Sequence, residues 1–236
     1  MQAVAYPIGT MEEELEDLAG GRPDSAAHRA YAYVKERLLD GRYAGGTLLS
    51  ENELARRLEI SRTPVRQAFV QLESEDLLEL YPRRGALVRP ISASEAEDVL
   101  EARLLIEAHC ARRVAAYGPE LGETLSGSLA AQEADARAGG AGFTIADRRF
   151  HRAIVAANGN AILTRQYDSL RDRQQRISAA AVSHDPSRIA RFIAEHHGIA
   201  AAIESGDGEG AAELIAAHLR STHELARRSR LSPRSL

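Results

Sequence analysis

The sequence predicts a mainly α-helical protein: an N-terminal winged helix-turn-helix followed by a C-terminal all-α bundle of six helices. Three observations carry this. A short capped helix and a second helix, both with inward apolar residues, are joined by the brief turn "EIS" and followed by two short β-like stretches around "PRRG". From Ile91 onward the apolar spacing is helical and breaks only at "YGPELG", "RAGGAG", "NGN", "SHDP" and "SGDG". No apolar run approaches the roughly 18–20 residues that a membrane span needs, and 44% hydrophobic with 27% charged residues is ordinary for a globular chain of 236 residues.

Residues 1–23, "MQAVAYPIGTMEEELEDLAGGRP", lack amphipathic period and are acidic where a secretion signal is basic and then apolar. They are expected to be a flexible tail of a cytoplasmic protein, with a second short tail at 230–236. Residues 24–90 form the first domain: a helix near 25–40, a loop "DGRYAGGTLL", helices at 51–58 and 62–76, and then two strands. Ser50 and Glu53 make a capping box for the first short helix. Residues 91–229 form the second domain, where Ser92 with Glu95, and Asp185 before Pro186, mark two helix starts. The single Cys110 excludes an internal disulfide and reads as a small buried hydrophobe.

The net charge of −4 does not advertise a nucleic-acid ligand, but local charge does. Arg56, Arg57, Arg62 and Arg66 face one acid, Glu59, and the strand turn adds Arg83 and Arg84, with Arg89 beyond. In the helix at 62–76, Val65, Phe69 and Leu72 point inward and leave Arg62, Thr63 and Arg66 outward. Such a helix would lie in the major groove with its first turns at base edges. Arginine suits that place because its planar fork donates two bonds to guanine, while Ser61, Thr63 and free amides can hold phosphates.

The run "GGTLLSENELARRLEISRTPVRQA", followed by "LESEDLL" and "RRGALV", resembles the DNA-binding domain of GntR-family transcription regulators. That resemblance implies base reading by Arg62 and Arg66, positioning of the DNA by Asn52 and Ser61, and a wing whose Gly85 lets the backbone enter the minor groove. Gln67 stands where the family commonly has Glu, and Asn52 where some members carry a basic residue.

In the second domain, the helix containing "DRRFH" places Asp147 and His151 on its apolar face with Phe143, Phe150 and Ile154, and turns Arg148, Arg149 and Arg152 elsewhere. A buried carboxylate demands a partner. On later helices His196 lies amid Ile189, Ile193, Ala200 and Ile203, and His218 amid Ala211, Leu214, Ile215 and Leu225, whereas His197 and His223 fall off those faces. Three imidazoles and a carboxylate converging inside a bundle suit a divalent cation, zinc first, with nickel, cobalt, iron and manganese as alternatives.

This half resembles the FCD domain of the FadR and VanR branch of the GntR family. The resemblance implies Asp147, His151, His196 and His218 as the metal ligands, and six helices favour the VanR-like arrangement. "EARLLIE" also resembles the family and would place Arg103 in the cavity to bind an effector, as a bidentate partner for a carboxylate; an ion pair with Glu107 is the competing role. Arg171, Arg173 and Gln175 are further cavity candidates. The expected protein is no enzyme: HExxH, GxSxG and phosphate-loop motifs are absent from the sequence. It is a homodimeric regulator, a repressor by expectation, that binds palindromic operator DNA and answers to a small organic acid at the metal. A regulator that senses the metal itself is the alternative, with a metalloenzyme using the Asp/His site behind it.

Overall fold

The structure, a computed structural model, describes residues 25–140, 142–185 and 187–231. The expected tail 1–23, Pro186 and residues 232–236 lie outside the described residues. The chain divides into two units at Pro90/Ile91, with the short segment Leu39–Gly41 counted with the second.

In the first unit, helix α1 (Ala26–Leu39) buries Ala30, Tyr31, Val34 and Leu38 together with Lys35, the chain's single lysine. Lys35 Nζ donates to Tyr31 Oη and to Glu75 Oε2, both at 2.8 Å, and Tyr31 Oη donates to Glu75 Oε1 at 2.7 Å. A buried ammonium is tolerated because all three groups satisfy one another. Burial pushes the Tyr31 phenol up to about 12. Helix α2 (Glu51–Arg57) starts at Ser50, whose side chain accepts from the Glu53 amide, as the capping box predicts. The chain then turns through Glu59 at φ 56° into α3 (Arg62–Ser74), which buries Val65, Ala68, Phe69 and Leu72.

Strands β2 (Leu78–Tyr81) and β3 (Gly85–Val88) pair antiparallel across the Arg-rich turn, with Tyr81 opposite Gly85. A third strand, β1 (Leu48–Leu49), pairs with the other edge of β3, giving the order β1-β3-β2. The sequence shows only a loop there, since two residues display no alternation and only their pairing makes them a strand. Gly85 is required at this junction: its φ is +109°, and a Cβ on it would stand 2.0 Å from the Leu49 carbonyl oxygen. Gly85→Ala is therefore expected to destabilise this unit by about 3 kcal/mol, read from a denaturant melt. A cost under about 0.5 kcal/mol, the scale of an ordinary surface change, would contradict the close approach.

The second unit is all-helical among the described residues: α4 (Ala93–Val114), a 3-10 turn (Ala115–Tyr117), α5 (Gly118–Arg137), α6 (Phe143–Ala157), α7 (Ala161–Ser169), α8 (Arg171–His184), α9 (Arg188–Glu204) and α10 (Gly208–Leu231). These are seven α-helices, not six. The segment expected as one helix from 161 to 182 breaks at Leu170, where the Leu170 amide bonds three residues back to Tyr167 and Ser169 Oγ bonds the Gln166 carbonyl at 2.6 Å. That local bend involves neither Gly nor Pro, so the sequence carries no strong signal of it. Helix α9 has Ser187 at its N-terminus, and Asp185, the expected cap residue, lies two residues before it and accepts from the Ser187 amide at 3.2 Å. One further expectation is corrected. Arg148 is buried rather than turned away, because α6 packs against α4, α5, α7 and α8 and has little free face.

The core of this unit is built from Cys110, Val114, Leu125, Phe150, Ile154, Tyr167, Ile199, Ile203 and Ile215. A second cluster of Phe143, Ile177, Phe192 and Leu225 lies between α4, α6, α8, α9 and α10. The apolar stripes of α6, α9 and α10 thus meet inside the bundle. Burial pushes the Cys110 thiol up to about 11, as suits an inert core residue.

Candidate metal centre and nucleic-acid interface

Asp147 and His151 sit on consecutive turns of α6, His196 on α9 and His218 on α10. Each offers one ligand atom, and these four atoms lie within 4.8 Å of one another, all on buried residues. His196 Nε2 is 3.5 Å from Asp147 Oδ1 and 3.2 Å from His218 Nε2, and His151 Nε2 is 3.8 Å from Asp147 Oδ1. His197, one residue on, is exposed and bonds Glu133 at 3.0 Å.

The far side of each imidazole is held by an oxygen. His151 Nδ1 lies 2.7 Å from Glu107 Oε2, His196 Nδ1 2.7 Å from Gln132 Oε1, and His218 Nδ1 2.8 Å from Glu195 Oε2. Gln132 donates its Nε2 to the Ala146 carbonyl, which turns its own oxygen toward His196. Oxygen acceptors place a ring proton on each Nδ1 and leave each Nε2 lone pair aimed at the centre. Burial depresses both His196 and His218 below the usual histidine range, which favours the neutral ring in each. His151 Nε2 is buried with no hydrogen-bond partner among the described residues. Lone pairs facing one another beside a carboxylate, itself steadied by Ser178 Oγ at 3.2 Å from Asp147 Oδ2, are the donor set of a borderline divalent ion. The residues present fit such an ion.

Arg103 on α4 is buried, and its Nε donates to Glu107 Oε1 at 2.6 Å, the pairing weighed against a cavity role. Glu107 also accepts from Tyr167 Oη at 2.8 Å. Burial alone would push the Glu107 carboxyl up, but the Arg103 guanidinium and then His151 reverse this and bring it down to about 2. The guanidinium also lies beside the Tyr167 hydroxyl, so Glu107 and Tyr167 together fix its position. Of the other cavity candidates, Arg173 pairs with Glu95 and Arg171 with Asp172, both partly exposed, while Gln175 is buried.

On the first unit, Asn52, Ser61, Arg62, Thr63 and Arg66 are all exposed, and Gly85 is half-buried under β1. Ser61 precedes α3 without a side-chain cap bond, so its hydroxyl and the first-turn amides are open to an anion. Arg62 makes a 3.3 Å contact with Glu51, an exposed pair worth about 0–1 kcal/mol that a phosphate or base edge can displace. The turn between β2 and β3 presents Arg83 and Arg84.

Residues 26–88 match the bacterial regulatory proteins of the gntR family, and residues 98–221 match the FCD domain. The chain belongs to the GntR family. The GntR regulator is 30% identical over 196 residues to a probable D-xylose utilization operon transcriptional repressor of Paenarthrobacter nicotinovorans, covering 83% of this chain and 86% of that protein. It is 27% identical over 206 residues to the HTH-type transcriptional repressor RspR of Escherichia coli, covering 85% and 88%. A GntR transcriptional regulator from Rhodococcus sp. RHA1 shares the fold, with a TM-score of 0.70 at 22% identity over 88% of this chain and 99% of that one. The family and these relatives are transcription regulators, not enzymes. No described helix is long and apolar enough to cross a membrane.

Sequence reasoning missed the residues that surround and orient the Asp/His cluster of this GntR regulator: Glu107, Gln132, Ser178, Glu195 and Tyr167. Glu107 carried one available signal, a charged residue in register with an apolar helix face four residues after Arg103, whereas Glu195 sits 100° from the adjacent His196 and carried none. Gln132 and Ser178 carried none, because their acceptors come from other helices.

Proposed function

We propose that this GntR regulator binds a palindromic operator as a homodimer in the cytoplasm and represses transcription until a small carboxylate binds at a divalent ion in the FCD domain. The observation that carries the effector half is the buried set of three Nε2 lone pairs around Asp147, with the Arg103 guanidinium in the same polar network. Asp147, His151, His196 and His218 would hold the ion, zinc being the natural first trial. Bound there, it would supply a fixed positive charge that draws an anion. Arg103 supplies a planar fork for the same anion, and Glu107 holds that fork in place through Nε. The word "repressor" in the names of both relatives supports the direction of control.

The DNA half rests on α3, with Arg62 and Arg66 reading bases, Asn52, Ser61 and Thr63 holding the backbone, and the wing at Gly85 beside the minor groove. Arg66→Ala is expected to weaken operator binding by about 1–3 kcal/mol and to relax preference at one base position, because a bidentate base contact is lost. Fluorescence anisotropy on a set of single-base operator variants reads both; wild-type affinity and preference would remove α3 from the major groove.

Arg103→Lys tests the acid. Acetate, malonate and citrate titrated calorimetrically into zinc-loaded protein should lose at least about tenfold in affinity with the variant, since a point charge cannot replace a two-bond fork, while zinc binding persists. Unchanged acid affinity would exclude Arg103. If zinc alone changes operator affinity and no acid adds to it, the metal is the signal.

A further inference from the structure

Thr63, Arg66, Gln67 and Val70 line one open concave patch on α3. Their spacing of three, one and three places them on a single stripe, opposite the face that buries Val65, Phe69 and Leu72. Val70 is 51% exposed. The Gln67 side chain is exposed as well and makes no hydrogen bond among the described residues. An apolar side chain and an idle amide beside Arg66, on the outer face of a well-packed helix, add nothing visible to folding.

We propose that Gln67 and Val70 read an A·T-containing step of the operator, Gln67 bonding an adenine edge and Val70 packing on a thymine methyl of the neighbouring pair. This deepens, and rests on, the reading of α3 as the helix in the major groove. Adenine presents one acceptor, N7, beside one donor, the N6 amine, and a carboxamide is a side chain that can donate and accept at once in that geometry. The C5 methyl of thymine is the apolar mark on the major-groove edge. Positions 67 and 70 are about 4.5 Å apart along the helix axis, at 1.5 Å per residue, against about 3.4 Å per base pair, so the two side chains fall on adjacent pairs. Arg66, one residue before Gln67, adds guanine to the same half-site.

The test is selection of binding sites from a randomised duplex library by the full-length protein. The wild type and three surface variants, Gln67→Glu, Val70→Ala and Arg66→Ala, are run in parallel, with thermal melts confirming that each is folded. Gln67→Glu should move one position from adenine toward cytosine, because a carboxylate only accepts and cytosine N4 donates. In the selected site, replacing the neighbouring thymine by deoxyuridine should weaken wild-type binding about threefold to fivefold, the worth of one buried methyl. Val70→Ala should bind both duplexes equally. An unchanged motif with Gln67→Glu, or equal wild-type binding to thymine and deoxyuridine, overturns the proposal. If Arg66→Ala alone alters the motif, only Gln67 and Val70 are excluded; if no variant alters it, the placement of α3 in the groove falls with them.

Discussion

Glu107→Gln is expected to cost the FCD domain of this regulator about 3–5 kcal/mol, the usual penalty for breaking a buried ion pair from one side. Glu107 is fully buried and serves three groups at once: Arg103 Nε, His151 Nδ1 and Tyr167 Oη. The amide still accepts one or two of these bonds but leaves the Arg103 charge unpaired inside the bundle. A domain of this size shifts by about 2–4 °C per kcal/mol, so calorimetry should show a drop on the order of 10 °C. Metal affinity should fall as well, by about 10–100-fold, because His151 loses its charged orienting partner. Arg103→Met combined with Glu107→Gln should recover much of the lost stability, since the stranded charge is gone and a flexible apolar chain fills its place. A single variant as stable as the wild type, or a double variant no better than the single, would show that the pair does not hold this core together.

Removing the divalent ion is expected to have the second large effect. The four ligands come from three helices, so an ion bound there ties α6, α9 and α10 together and adds its binding free energy to folding. At a free concentration about a hundred times its dissociation constant this is worth about 2.7 kcal/mol. Protein incubated with zinc and then treated with a chelator should therefore melt lower in this domain, and acids should no longer alter its DNA affinity. Basal DNA binding should persist, because the winged helix contributes no ligand. His196→Ala should act like the chelator, whereas His197→Ala should not: His196 is fully buried with Nε2 turned to the centre, and His197 is exposed against Glu133. Equal effects from the two, or no uptake of zinc or nickel by native mass spectrometry, would dismiss the site.

Much of the winged helix was legible because its signals are local. Capping at Ser50 depends on Glu53, three residues away, and the inward stripe of α3 is a matter of helical period alone. The strand β1 escaped because its two residues are a strand only by virtue of β3, and the break at Leu170 escaped because serine back-bonding bends a helix without a breaker residue. The burial of Arg148 escaped for a third reason. A helical wheel assumes one wet face, and a helix packed against four others does not have one.

By itself the sequence determined which side chains could meet: period 3.6 places Asp147 and His151 on one face and sends His196 and His197 in directions 100° apart, whatever surrounds them. It equally determined the outward placement of Arg62, Thr63 and Arg66. Only the tertiary structure decided how those groups are used. Ring orientation depends on Glu107, Gln132 and Glu195, which arrive from α4, α5 and α9, and on the Ala146 carbonyl that turns the Gln132 amide. Arg103 could have faced an open cavity or its own helix neighbour, and packing committed its Nε to Glu107. The physical reason is common to both. Periodicity along a chain sets the direction of a side chain, but a hydrogen bond is settled within a few tenths of an ångström by a partner far away in sequence.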